Sequence, residues 1–260
     1  MNKFFKSTVC AVAAVAMMAA CFAGCSKKDD TAADTSSSEK KEVLVMATNA
    51  TFPPYEYYDG EDIVGIDAEI GKAIADKLGM DFKIEDMEFH SIISYVNNGD
   101  NVMGMAGMTV SEDRKLQVDF SSSYAKGVQV VIVKKDSDIK TVDDLAGKKI
   151  GVQLSTTGDI YATDDFGAEM VTQYNKATDC VLGLKNGDVD AVIIDNAPAQ
   201  TFVAENDTLK LLETEYANED YAICVKKGNT QLLDKINGAL SELTADGTVK
   251  KIIDKYIPAK

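Results

Sequence analysis

A pattern that occurs twice constrains the fold of this chain more than any other feature. Residues 91–107, SIISYVNNGDNVMGMAG, have the pattern of a helix that ends in Asn-Gly-Asp and is followed by an apolar strand. Residues 179–195, DCVLGLKNGDVDAVIID, repeat it 88 residues later, and KEVLVMATN at 41–49 resembles KKIGVQLST at 148–156. Two unrelated helix ends would explain the Asn-Gly-Asp match alone, but not two matched pairs in the same order. The sequence therefore predicts two related lobes.

Short β-branched runs alternate with helical patterns along the chain. In DAEIGKAIADKLG, Ile70, Ile74 and Leu78 lie four positions apart and predict one buried helix face. Asp67 is the expected N-cap of this helix, and Gly79 follows its end. Such alternation predicts an α/β fold with mostly parallel sheets. The predicted strands are 42–48, 101–109, 127–135, 148–154, 190–195 and 221–227, with further helices at 230–247 and 248–257.

The carboxyl ends of these strands carry polar and aromatic residues. Ligands of open parallel sheets bind at such ends. The candidates there are Asn49, Phe52, Gly107, Thr109, Gln153, Thr156, Thr157 and Asp195. Arg114, the only arginine in 260 residues, lies five positions after Thr109. A lone arginine is often only a solvated surface residue, but a guanidinium can hold a carboxylate by two parallel hydrogen bonds, which an ammonium cannot. Brought together in one cleft, these groups complement a small zwitterion.

The first 24 residues have the features of a secretory signal: Lys3 and Lys6 precede a stretch of small apolar residues. FAGC resembles a bacterial lipobox and predicts lipidation at Cys25; MAAC, ending at Cys21, is a second candidate, and an uncleaved membrane anchor is the alternative. Residues 26–41 contain no apolar residue larger than alanine and predict a flexible tether. We therefore expect a lipid anchor that holds the folded part at the extracytoplasmic face of the cell membrane.

The charge and the cysteine content exclude some classes of function. Without residues 1–24 the chain has 25 basic residues (27 minus 2) and 42 acidic ones, a net charge of −17. This charge argues against nucleic acid as a partner. His90 is the single histidine, and without a Cys/His cluster we expect neither a metal nor a cofactor. Cys180 and Cys224 are either joined by a disulfide or are two buried thiols.

Four segments resemble the polar amino-acid solute-binding proteins of ABC importers. They are residues 47–79, 106–127, 143–159 and 190–199, which include GMTVSEDR, QLSTTGD and IIDNAPA in the expected order. The resemblance implies a periplasmic-binding-protein-like fold: two α/β lobes, each a mostly parallel sheet flanked by helices, joined by two crossing strands. It places lobe 1 at 42–127 plus 222–260 and lobe 2 at 128–221, in a monomer that closes like a hinge.

The resemblance also assigns roles at the two ends of a free amino acid. Arg114 and Thr109 would hold the α-carboxylate, helped by backbone N–H groups near Thr156 and Thr157 at a helix N-terminus. At the other end, Asp195 would receive the α-ammonium together with the Gly107 carbonyl. Asp195 ends an apolar run, where a charge is costly without a partner.

The side chain of the ligand would lie between Phe52 and Phe89, although the spacing of Phe89 fits a core residue equally well. Relatives that bind basic amino acids often have an aspartate at the position of Asn49. The amide favours a neutral polar side chain, hydrogen-bonded by Asn49 and Gln153; a basic one remains possible if Glu56 or Glu88 supplies charge. We interpret His90 as a residue at the start of a helix, with a place in the pocket as the alternative.

The function expected from this resemblance is capture of a polar amino acid and its delivery to an ABC-type permease. A ligand sensor of the same fold is one alternative, and a secreted dehydratase-like enzyme is another. No Ser/His/Asp set or carboxylate pair suited to catalysis is evident, so we expect no enzymatic activity.

Overall fold

The computed structural model describes residues 41–213 and 215–257. The predicted signal peptide, Cys25, Cys21 and nearly all of the tether lie outside these residues. Among the described residues the strands are β1 (Val43–Thr48), β2 (Thr51–Phe52), β3 (Glu56–Asp59), β4 (Asp62–Val64), β5 (Asp81–Asp86), β6 (Val102–Gly104), β7 (Val118–Lys134), β8 (Ile150–Gln153), β9 (Val171–Tyr174), β10 (Ala191–Asp195), β11 (Leu209–Leu211) and β12 (Ala217–Lys226). The helices are α1 (Ile66–Leu78), α2 (Ile92–Val96), α3 (Glu112–Lys115), α4 (Thr157–Phe166), α5 (Ala177–Asn186), α6 (Asn196–Ala204), α7 (Thr230–Ala245) and α8 (Thr248–Tyr256), with short 3₁₀ helices at Phe89–Ser91 and Val142–Leu145.

Two sets of parallel strands are joined by a pair of long antiparallel strands. The first set has the order β5-β1-β6 and the second the order β10-β8-β9. Between them β12 pairs with β6, β7 pairs with β10, and β7 and β12 pair with each other from Val118 to Gln129. The predicted fold of two α/β halves joined by two crossing strands is confirmed. The predicted lobe boundaries fall inside β7 and β12, and they remain a prediction.

Each half has its own apolar core. In the first, Met46 of β1, Met103 of β6 and Ile70 of α1 are fully buried together. In the second, Val192 of β10 packs with Leu184 of α5 on one side of the sheet. The next residue of β10, Ile193, packs with Ile150 of β8 on the opposite side. None of the helices in the described residues has the length and apolarity of a membrane span.

The helix at 66–78 differs from the prediction at its start. Its N-cap is Gly65, with φ 124°, and not Asp67. Asp67 lies within the first turn, fully buried, and accepts hydrogen bonds from the Gly107 N–H and the Tyr124 hydroxyl. The end is as predicted, since Gly79 adopts the left-handed conformation, with φ 68°. The prediction was wrong about Asp67 because a long-range contact, and not helix capping, uses its carboxylate.

The repeated segments both fold as a helix followed by a strand, but both elements are shorter in the first. In the second repeat α5 ends at Asn186, is capped by Gly187 with φ 86°, and is followed by β10, which continues to Asp195. In the first repeat α2 ends at Val96, and the predicted strand 101–109 is regular only from Val102 to Gly104. The chain leaves the sheet after Gly104 and turns at Gly107, where φ is 52°. This turn carries the backbone to the edge of the cleft.

Candidate functional site

A cleft at the carboxyl ends of the strands brings together every ligand-binding residue predicted from the sequence. Its lining surrounds about 510 Å³ of space not filled by atoms, part of which is open solvent. The predicted residues that line it are Asn49, Phe52, Phe89, Gly107, Thr109, Arg114, Gln153, Thr156, Thr157 and Asp195. The structure therefore places these side chains together, and it leaves the role of each to be tested.

Arg114 is positioned by a single helical turn that follows the Gly107 turn. The Ser111 side chain caps α3 by accepting from the Arg114 backbone N–H at 3.3 Å. The guanidinium is 6% exposed and donates to two carbonyl oxygens, that of Thr109 at 2.7 Å and that of Ser155 at 3.0 Å. Its Cζ lies 5.3 Å from the centroid of the Phe89 ring, a cation–π distance. Burial lowers the pKa of Arg114 from its usual value, and neighbouring Glu219 opposes this effect.

The loop from Ser155 to Thr157 faces Arg114 across the cleft. Ser155 has φ 65°, uncommon for a residue with a side chain. Thr156 caps α4: its hydroxyl accepts from the Asp159 N–H at 3.2 Å and donates to the Gln153 carbonyl at 2.8 Å. Thr157 begins α4, as predicted, and its hydroxyl lies 3.5 Å from that of Thr109. A helix N-terminus with free N–H groups favours an anion at this place.

Asp195 ends β10 and precedes α6 as its N-cap residue. The carboxylate is 7% exposed, and its Oδ2 accepts from Gln129 Nε2 at 2.8 Å. Its Oδ1 is buried without a hydrogen-bond partner in the described part of the chain. Burial, followed by repulsion from Glu219, raises the pKa of Asp195 to about 7. A buried carboxylate with a free oxygen is suited to receive a cationic group.

Asn49 and Gln153 are bonded to each other across the cleft. Gln153 Nε2 donates to Asn49 Oδ1 at 2.9 Å and to the carbonyl of Asn175 at 3.0 Å. Asn49 Oδ1 also accepts from the Thr51 hydroxyl at 2.9 Å, and Asn49 Nδ2 donates to the Met87 carbonyl at 2.7 Å. These amides were expected to contact the ligand side chain. In this closed arrangement they also join the two halves of the molecule directly.

The two predicted aromatic walls both line the cleft but have different neighbours. Phe52 stacks on Tyr55, with centroids 6.0 Å apart, and its ring lies so close to Gly107 that a Cβ there would be 2.9 Å from it. Phe89 lies under the Arg114 guanidinium and also packs against the core around α2. Phe89 thus lines the cleft and also packs against the core, and its contact with the ligand stays a prediction.

Several residues of the site were not predicted: Gln129 of β7 lines the cleft, together with Ala106, Cys180, Val192, Ile193 and Ile194. Glu56 of β3, considered above only as a possible source of charge, lines it as well. Glu56 is buried against Asp67, and burial raises its pKa well above the usual value. The sequence did contain a signal for Gln129, because its amide is the single polar side chain within the apolar run GVQVVIV. Asp195 is marked in a similar way, as the polar residue that ends the apolar run AVII.

Four residues left open by the sequence have definite places. His90 is exposed and does not line this cleft, which agrees with a place at the start of the 3₁₀ helix Phe89–Ser91. Glu88 also lies outside the cleft lining. Cys180 and Cys224 are both buried and free, which rules out the disulfide alternative. Among residues 41–213 and 215–257, no cluster of three or more metal-ligating side chains occurs.

Comparisons with known proteins agree with this geometry. The family model for bacterial extracellular solute-binding proteins, family 3, matches residues 44–259. The arginine-binding extracellular protein ArtP of Bacillus subtilis is 33% identical, over 86% of this chain and 89% of its own length. The glutamine-binding protein GlnH of an ABC transporter in the same organism is 32% identical, over 99% and 98%.

Solved structures give the same result. An ancestral arginine-binding protein bound to glutamine has a TM-score of 0.80 and 40% identity, covering 85% of this chain and 100% of that one. The arginine-, lysine-, histidine-binding protein ArtJ of Geobacillus stearothermophilus also has a TM-score of 0.80, with 32% identity over 85% and 96% of the two chains. The two-lobed fold predicted from the sequence is therefore confirmed.

Proposed function

The chain belongs to family 3 of the bacterial extracellular solute-binding proteins, and on that basis we propose how its cleft recognises a ligand. It is an extracytoplasmic binding protein that captures an amino acid and delivers it to an ABC-type permease. The relatives compared above are binding proteins by name. The proposals below concern the residues that hold the ligand, the class of ligand and the membrane anchor.

One observation carries the proposal: a guanidinium and a carboxylate are buried in the same cleft on opposite halves of the molecule. Arg114 is 6% exposed and Asp195 is 7% exposed. The Arg114 guanidinium donates to carbonyl oxygens, and Asp195 Oδ2 accepts from an amide. Two charges buried in this way are costly unless something compensates both. A free amino acid carries an anion and a cation on adjacent atoms and would compensate both together.

At the anionic end, Arg114 gives the α-carboxylate two parallel hydrogen bonds. The guanidinium is already oriented by the Thr109 and Ser155 carbonyls and by the Phe89 ring. The N-terminus of α4 at Thr157 adds backbone N–H groups, and the Thr109 hydroxyl adds a further donor. Each hydrogen bond to a charged group contributes about 1.5–3 kcal/mol.

At the cationic end, Asp195 Oδ1 accepts from the α-ammonium, because this oxygen is buried with no partner in the ranges that the structure describes. The Gly107 carbonyl supplies a second acceptor. The Gly107 turn is fixed for this purpose by its N–H, which donates to Asp67 Oδ2 at 2.9 Å. Together with the carboxylate contacts and an aromatic wall, and after the cost of association, these bonds support binding of about −8 kcal/mol, or micromolar affinity.

Closure of the two lobes follows from the same contacts. Arg114 reaches Ser155 and Asn49 reaches Gln153 only when the halves approach, at 3.0 and 2.9 Å. An amino acid that touches both halves stabilises the closed state by its extra contacts there. The closed form is the one that a permease would distinguish from the empty protein.

We favour an amino acid with a neutral polar side chain, such as glutamine. The distal end of the cleft presents the amides of Asn49 and Gln153. Besides Asp195, Glu56 is the one carboxyl-bearing residue among the described residues that line the cleft, and burial raises its pKa well above the usual value, so it is a poor partner for a cation. The relatives include proteins named for arginine and for glutamine, and one ancestral arginine-binding protein was solved with glutamine. A basic amino acid is the competing outcome of the test.

The test is isothermal titration calorimetry of the purified protein with a panel of amino acids. Glutamine or another neutral polar amino acid should bind with micromolar affinity, and at least about tenfold more tightly than arginine or lysine. The reverse order would assign the basic class and overturn our choice of side chain. If no free amino acid binds, the whole assignment of the cleft fails.

The anchor forms a separate proposal. Lipidation of Cys25 would tether the folded monomer to the outer face of the membrane through residues 26–41. Mass spectrometry of the mature N-terminus tests it: diacylglycerol on Cys25 is expected. An unmodified N-terminus, or a modified Cys21, would contradict the assignment.

A further inference from the structure

A second buried carboxylate lies directly behind the ligand-binding residues. Glu219 of β12, one of the two crossing strands, is only 5% exposed. Its Oε2 accepts from the Thr109 hydroxyl at 2.9 Å and from Gln129 Nε2 at 3.0 Å. Thr109 and Gln129 both line the cleft, whereas Glu219 does not. Glu219 therefore contacts the site through two other side chains.

One amide bridges the two buried carboxylates. Gln129 Nε2 donates to Asp195 Oδ2 at 2.8 Å and to Glu219 Oε2 at 3.0 Å, which uses both of its hydrogens. Each carboxylate keeps one buried oxygen, Asp195 Oδ1 and Glu219 Oε1, that has no partner in the described residues. A bridge of this kind holds two like charges near each other in a weakly polar site, where they repel strongly.

We propose that Glu219 is a positioning residue of the amino-acid site: it orients Thr109 and Gln129 and, by repelling Asp195, sets the pH below which the ligand ammonium is no longer held. This inference rests on the proposed role of Asp195. It adds to that role a residue that touches no ligand atom and a defined dependence on pH.

The pH window follows from the groups around Asp195. Burial and Glu219 raise its pKa to about 7, while the nearby Tyr221 hydroxyl, the hydrogen bond from Gln129 and the charge of Arg114 act in the opposite direction. The ammonium requires the ionised form of Asp195, so binding is full above pH 7 and weakens by up to about tenfold per pH unit as the pH falls below it. Without the charge of Glu219 the pKa of Asp195 falls, and this loss moves to lower pH.

Other titratable groups face the same two carboxylates. Tyr161 of α4 lies near Glu219, Arg114 and Asp195, and Tyr55 lies near Asp195, Asp67 and Glu56. Burial raises the pKa of both phenols, so neither changes charge between pH 6 and 8. Asp67, whose pKa is raised by burial to about 6, acts on the Gly107 turn and contributes at the lower edge of this window. Glu56, whose pKa burial also raises, lies near Asp195 as well. The natural protein and the Glu219→Gln variant share Asp67 and Glu56, so the difference between them reports the effect of Glu219 on Asp195.

The experiment measures the affinity for the best-binding amino acid from the calorimetric panel at pH 6, 7 and 8. In the natural protein we expect affinity to fall about tenfold between pH 8 and pH 6. In Glu219→Gln we expect a fall of less than about threefold over the same range, together with weaker binding at pH 8, because a neutral amide oxygen accepts more weakly than a carboxylate from Thr109 and Gln129. Asp220→Asn is the matched control: Asp220 is the next residue on β12, exposed and paired with Lys126. It should retain the pH dependence of the natural protein.

The outcomes separate this inference from the proposed function. If Glu219→Gln keeps the tenfold fall with the same midpoint, the inference is overturned. If Asp195→Asn binds as tightly as the natural protein, then the ammonium assignment itself is wrong, whatever Glu219 does. If Asp195→Asn weakens binding and also removes the fall, and Glu219→Gln flattens it, then both stand. Circular dichroism of each variant at pH 6 and 8 verifies that the protein remains folded.

Discussion

Replacement of Arg114 by lysine perturbs the anionic end of the site while keeping its charge. The guanidinium is 6% exposed, donates to the carbonyls of Thr109 and Ser155 at 2.7 and 3.0 Å, and lies over the Phe89 ring at 5.3 Å. The shorter lysine ammonium is a point charge with no planar fork. It can satisfy one of these carbonyls or one ligand oxygen, but it cannot present two parallel donors to a carboxylate.

The expected loss of affinity comes from three contacts. One charge-assisted hydrogen bond to the α-carboxylate is lost, at about 1.5–3 kcal/mol. The cation–π contact with Phe89 weakens, by about 0.5–1 kcal/mol. The bond to Ser155, which holds the closed state, is also lost or bent. A relaxed side chain recovers part of this, so we expect about 1.5–3 kcal/mol in total, or roughly 10- to 150-fold weaker binding.

Isothermal titration calorimetry of Arg114→Lys with the preferred amino acid measures this change. Lys115→Arg is the matched control, since Lys115 is the next residue of α3 and its side chain is exposed. We expect the control to bind like the natural protein, and Arg114→Lys to keep its folded far-ultraviolet spectrum. Unchanged affinity in a folded Arg114→Lys protein would refute the carboxylate clamp. An equal loss for ligands that lack an α-carboxylate would refute it as well.

Three further predictions concern other parts of the molecule. Asp195→Asn should weaken every amino acid that binds by a similar factor, about tenfold or more, because it contacts the common backbone; a loss that depended on the ligand side chain would contradict this in a calorimetric series. Gly127→Ala should lower Tm by about 3–10 °C, since a Cβ there would lie 2.5 Å from the buried Tyr221 ring. Gly238→Ala, where nothing lies within 4 Å of the added Cβ, should leave Tm unchanged or raise it; differential scanning calorimetry measures both variants. Equal changes in Tm for Gly127→Ala and Gly238→Ala would exclude a clash with Tyr221 as the cause. The Cys180 thiol should resist alkylation in the native protein and react after denaturation, because burial raises its pKa; rapid native labelling, seen by peptide mass spectrometry, would show an open cleft wall.

The parts of the fold that could be predicted from sequence are those set by local patterns. Helices α7 and α8 lie at Thr230–Ala245 and Thr248–Tyr256, within the predicted 230–247 and 248–257, because their apolar spacing and flanking glycines act locally. The position of the site was predictable for a related reason. In a parallel sheet the carboxyl ends of all strands lie at the same edge, so polar residues that follow these ends lie close together.

What could not be predicted depends on contacts between distant segments. Asp67 has the local signature of an N-cap, but its carboxylate is used by Gly107, 40 residues away. The bond between Asn49 and Gln153 joins residues 104 positions apart, and each amide alone suggests only a ligand contact. Glu219 lies in ANEDYAICVKK, where three polar residues precede the apolar run, and nothing local marks it as the buried one.

If Arg114 and Asp195 hold the two ends of the ligand as proposed, capture and closure form one process. In an open protein, Arg114 on one half and Asp195 on the other would each be hydrated, and each exposed charge is stable alone. Closing buries both, to 6% and 7% exposure, and this desolvation opposes closure unless the charges are compensated. A ligand with only a carboxylate would leave Asp195 uncompensated, and an amine would leave Arg114 uncompensated. A zwitterion with both groups on one carbon satisfies both, so the closed state is stabilised by free amino acids in preference to simpler ions. On these proposed roles, selection of the ligand class would follow from the places of two charges on two lobes, and the side-chain pocket would need only to choose among amino acids.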